Sequence, residues 1–127
     1  MQKIVVIATL IFLFHPIDDA QAQLIQGKNC SYPAFRTAQG QTTDLEMTVK
    51  AGKACRITLG GSLSAISEAR ILNKASVGSA TAQGTAVVYA AKAGFAGSDQ
   101  FTWAWVGQDR WGNDTTWPVQ VTVKVIP

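Results

Sequence analysis

Histidine, the commonest side chain for proton transfer and metal ligation near neutral pH, occurs once in the 127 residues, at His15. That position lies in an N-terminal stretch that reads as a removable leader, so the remainder of the chain carries no imidazole. Ser-His-Asp and Cys-His catalysis and the usual zinc ligand sets are therefore not expected. Glu46 and Glu68 are the only glutamates. A glycosidase pair needs a cleft and one carboxyl of raised pKa, and Glu46 falls on the polar face of an ordinary strand, so a small hydrolase is the least favoured reading. Asp99, Asp109, Asn113 and Asp114 gather near turns, but the spacing of a calcium loop, which supplies about 6–8 oxygens, is missing. These side chains read as turn formers. No catalytic residue, metal site or cofactor is expected.

Cys30 and Cys55 are the only cysteines. An even count in an exported chain reads as one disulfide. Their wide separation is unlike a CxxC redox pair. Closing that loop stabilises the fold by about 3 kcal/mol in the chain-entropy account.

The four tryptophans all fall between Trp103 and Trp117. Trp103 shares a strand face with Phe101 and reads as core. Trp105 is on the same face, nearer the strand end. Trp111 lies in a loop beside Arg110, and Trp117 precedes Pro118 at a strand start. Trp105, Arg110, Trp111 and Trp117 are the candidate contact residues, as a platform for sugar rings or an anchor for a protein. The alternative folds Trp111 back over its own hairpin, with Arg110 stacked on it.

The elements that position these residues begin after the leader. Lys3 precedes an apolar run over residues 4–14, too short for a membrane span of about 20 residues. A polar stretch then ends in Ala20, Gln21 and Ala22, the small-x-small pattern of a signal-peptidase site. Cleavage after Ala22 leaves residues 23–127, enough for one domain. One lysine and two aspartates leave with the leader, taking the formal charge from +3 to +4. The remaining cations are scattered, so no nucleic-acid footprint is present, and no later segment could cross a membrane as a helix. The expected location is periplasmic or secreted.

Residues 23–42 read as an irregular arm tied down by Cys30, and residues 43–127 as the folded domain. Period-two alternation marks strands around residues 45–50, 55–59, 86–90, 100–106 and 117–126. Residues 62–74 fit a short helix or a loop leading into a strand at 69–73, the latter being preferred. Residues 75–82 read as turn-rich. Such a series of short strands predicts an all-β sandwich of about seven antiparallel strands.

The C-terminal half also carries a pattern. Gly78, Val87, Tyr89, Gly94, Phe95, Gly97, Asp99, Phe101, Trp103, Gly112, Val119, Val121 and Val123 together resemble the bacterial Ig-like, cadherin-like modules, over roughly residues 78–125. The chain departs from them in being a lone domain, in placing Trp103 and Trp105 where one tyrosine is usual, and in lacking a proline near Lys92 and Ala93. The resemblance implies an Ig-like sandwich of secreted and surface proteins. Gly94 and Gly97 would shape a turn, Asp99 would accept hydrogen bonds from nearby turn amides, and Phe95, Phe101 and Trp103 would fill the space between the sheets. The functional expectation is a non-catalytic interaction or structural module of the cell envelope, monomeric, meeting an envelope protein or a polysaccharide. The second reading is a carbohydrate-binding protein that uses the tryptophans.

Overall fold

A computed structural model describes residues 24–58 and 65–127. The expected leader, residues 1–22, and the turn at Gly60 and Gly61 lie outside the described residues. What is described is all strand and turn, in two sheets. The strands are β1 (Leu24–Gln26), β2 (Cys30–Pro33), β3 (Thr43–Lys50), β4 (Ala54–Ile57), β5 (Ile66–Asn73), β6 (Ser79–Gln83), β7 (Ala86–Ala90), β8 (Gly97–Gln108) and β9 (Asp114–Ile126). The larger sheet has the order β1-β2-β3-β9-β8-β5, and the smaller one β4-β7-β6.

The inward faces follow the alternation in the sequence. Leu45, Met47 and Val49 from β3, Phe101, Trp103 and Trp105 from β8, and Val119, Val121, Val123 and Val125 from β9 are buried against Cys55, Ile57, Val87 and Tyr89 of the smaller sheet. Their polar neighbours Glu46, Thr122 and Lys124 face outward and are exposed. One face buried and one wet is the arrangement that makes such alternation pay in apolar burial.

Four features depart from the sequence expectation. The arm is not irregular throughout: β1 and β2 extend the larger sheet, with Cys30 opposite Val49. The turn-rich stretch contains β6, whose apolar positions are only Ala80 and Ala82, so small that their alternation with Ser79, Thr81 and Gln83 is a weak signal. The strand expected at 69–73 begins earlier, at Ile66, and no helix occurs among the described residues. Finally, not every pair is antiparallel. β3 lies parallel to β9, from Thr43 opposite Val119 to Lys50 opposite Ile126. Alternation has the same period in both kinds of pair, so it carries no information on direction.

Cross-connections between the sheets include a backbone bond from Ala69 N–H on β5 to the Gly84 carbonyl, just before β7, at 2.7 Å, and the following side-chain links. The Cys30–Cys55 disulfide joins β2 to β4. Tyr89 on β7 donates from its hydroxyl to Asp99 Oδ2 on β8 at 2.7 Å. At the other end, Trp105 Nε1 on β8 donates to the carbonyl of Thr85, just before β7, at 2.8 Å.

Candidate functional site

The β8–β9 hairpin is the longest antiparallel pairing in the molecule, from Gly97 opposite Val125 to Gln108 opposite Asp114. Beyond Gln108 a five-residue turn closes it. Asp109 organises that turn. Its backbone N–H donates to the Asn113 carbonyl, and its own carbonyl accepts from Gly112 N–H. Its Oδ1 accepts from the N–H groups of Trp111 at 2.8 Å and Asn113 at 2.9 Å. The Asn113 amide, with the other turn donors, holds the Asp109 carboxyl below its ordinary value. Gly112 takes φ +84°, which a side chain would penalise. The turn is thus fixed by its own hydrogen bonds.

On this turn Trp111 is 75% exposed. The Arg110 guanidinium carbon lies 5.6 Å from its ring centroid, in cation–π range. Trp111 does not fold back over the hairpin, whereas the stacking of Arg110 on it does occur. Trp105 and Trp117 are elsewhere. They sit opposite each other in the β8–β9 register, at 3% and 7% exposure, within the core. The expected platform of three indoles is therefore corrected to a single exposed indole with its guanidinium. The inward parity of Trp105 and Trp117 on their strands carries them under cover. Phe35, which lies between β2 and β3, stacks on Trp105 at 6.3 Å and meets Trp103 edge-on at 6.2 Å. It closes that end of the core, and nothing in the irregular sequence around it marked it for this role. Trp103 is fully buried, and its Nε1 has no partner among the described residues.

At the far end of the molecule the turn and core residues take up structural positions. Gly94 and Gly97 have φ +82° and +147°, and Phe95 is half-buried against the core. Asp99 is buried and accepts five hydrogen bonds, from the amides of Ser76, Val77, Gly78 and Gln100 and from Tyr89. Three of these donors lie more than twenty residues upstream, in the bend before β6, rather than in the adjacent turn. Burial alone would raise the Asp99 carboxyl, but the Gly78 amide, the Tyr89 hydroxyl and the Gln100 and Val77 amides outweigh it and hold it below its ordinary value. Burial, together with the Asp99 charge, pushes the Tyr89 phenol well above its usual range.

The outer face of the larger sheet holds a groove of about 680 Å3 beside the turn end of the hairpin. Ser67 and Arg70 of β5, Gln108 of β8, and Asp114 and Thr116 of β9 line it around Val106. Strand parity could have grouped Val106, Gln108, Asp114 and Thr116. It could not have placed Ser67 or Arg70, because β5 shifts register twice along β8. A second groove, of about 830 Å3, includes Pro33, Glu46, Ser98 and Lys124, and its lining contains no tryptophan.

Comparison with known proteins finds no matching family model, no similar curated protein and no similar solved structure at a significant level. The Cys30–Cys55 disulfide fits an extracellular or periplasmic protein. Among the described residues, no helix is long and apolar enough to cross a membrane.

Proposed function

We propose that the chain is an exported, non-catalytic interaction module with an Ig-like sandwich, and that it meets its envelope partner through the Arg110–Trp111 tip. The exposure of Trp111 on a turn held rigid by Asp109 carries this reading. A large apolar side chain left in water gains most from a partner that covers it. A turn already fixed in place has little conformational entropy left to lose on binding. The Ig-like assignment is supported by the two-sheet architecture and by Gly94, Phe95, Gly97, Asp99 and Phe101 at the foot of β8.

The test is affinity capture from envelope extract with wild type and Trp111→Ala side by side. The variant should keep the wild-type thermal midpoint, since Trp111 is not packed in the core, and should lose the captured partner. Equal capture by both proteins would remove the tip from the binding site.

A further inference from the structure

The groove beneath the tip has a chemistry of its own. Its polar lining mixes donors and acceptors: the Ser67 hydroxyl, which donates to the Val106 carbonyl at 3.1 Å and keeps its acceptor capacity, the Arg70 guanidinium, the Gln108 amide, the Asp114 carboxylate and the Thr116 hydroxyl. Gln108 Nε2 approaches Asp114 Oδ1 only at 3.5 Å, a long contact that leaves both groups free to bond elsewhere. Arg70 is paired with Glu68, and Asp114 has no ion-pair partner among the described residues. A surface with donors and acceptors interleaved, no free cation and one carboxylate repels anions and suits a ligand whose groups both donate and accept while carrying no charge, which is the description of a sugar hydroxyl. Gln108 and Asp114 are also the two residues that flank the turn bearing Trp111. One face of that indole is taken by Arg110. The other can receive the C–H face of a pyranose ring, whose weakly positive hydrogens complement the negative face of the aromatic system. The volume lies in the range of small-ligand sites.

We infer that the groove and Trp111 together form a subsite for a neutral polysaccharide, with hydroxyls hydrogen-bonded in the groove and one ring stacked on the indole. This rests on the reading of the tip as the contact surface. Nucleic acid and anionic glycans fit less well, because Asp114 stands in the groove and Arg70 is already paired.

Purified exported protein would be titrated with soluble neutral oligosaccharides (β-glucan, mannan and N-acetyl-chitin series) and with polygalacturonate, by calorimetry and tryptophan emission. At least one neutral series should bind, with no loss of affinity at high salt, since no ion pair is formed. Trp111→Ala should weaken binding by about tenfold or more, and Gln108→Ala and Thr116→Val each by about threefold to tenfold. Circular dichroism would check that each variant is folded. No neutral binding at millimolar sugar overturns the inference, as does binding that survives both groove substitutions or is confined to polygalacturonate. If extract capture still depends on Trp111 while no sugar binds, the partner is a protein, and the sugar inference falls while the interaction module stands. If Trp111→Ala changes neither, both readings fall.

Discussion

A carboxylate buried as deeply as that of Asp99 is tolerable only because five donors reach it. Its loss would leave the amides of residues 76–78 and the Tyr89 hydroxyl short of a partner. Asp99→Asn retains the shape but gives up the charge and replaces an acceptor with a donor, and should destabilise the fold by about 2–3 kcal/mol at neutral pH. Because the folded-state pKa of Asp99 is depressed, its contribution is complete above the unfolded value near 3.8 and is lost as pH falls through the lower folded value. Urea denaturation of both proteins from neutral to strongly acid pH should therefore show a gap that is constant to about pH 5 and narrows below about pH 4. A gap independent of pH would mean that the charge of Asp99 contributes nothing. The importance of this residue was legible in the local pattern around Phe95 and Phe101. The origin of its donors was not, since the bend at 76–78 is brought to it only by the packing of one sheet on the other.

At the scale of elements, the seating of the hairpin depends on a close backbone approach. A Cβ on Gly107 would stand 2.0 Å from the Ala65 carbonyl oxygen, the same oxygen that accepts from Gln108 N–H. Gly107→Ala should push the start of β5 off the turn end of the hairpin and cost about 2–3 kcal/mol. Hydrogen exchange should then report faster opening at Ile66 and Gln108 than at Val121, and equal protection throughout would contradict this account. The strands β3, β4, β8 and β9, with apolar–polar alternation, and β7, a continuous apolar run, were legible from the pattern and the turn residues. β1, β2 and β6 were not, because strands this short or built on alanine leave only a weak periodic trace. The burial of Trp105 and Trp117 follows from their parity with Phe101 and Val119. The sequence position of Trp117, next to Pro118 at a strand start, suggested an exposed end that the extra length of the hairpin removes.

For the whole molecule, the disulfide is the only covalent cross-link between the two sheets among the described residues beyond the chain connections themselves. The smaller sheet, with only three strands, otherwise depends on packing, on the bonds of Tyr89 and Trp105 and on the Ala69–Gly84 backbone bond. Replacing both Cys30 and Cys55 with serine should lower stability by about 3 kcal/mol, read as a fall in the denaturation midpoint with the native near-UV spectrum retained. A midpoint unchanged by the double substitution would show that the two sheets hold each other without it.

The parallel seat of β9 between β3 and β8 also governs how the molecule comes into being. The last described strand to leave the ribosome occupies the middle of the larger sheet. Until it arrives, β3 and β8 have no common neighbour, and although β8 is next to it in sequence, β3 lies some seventy residues back along the chain. Such distant pairing is slow. The larger sheet of a nascent chain of this design therefore stays unlocked until β9 has been made.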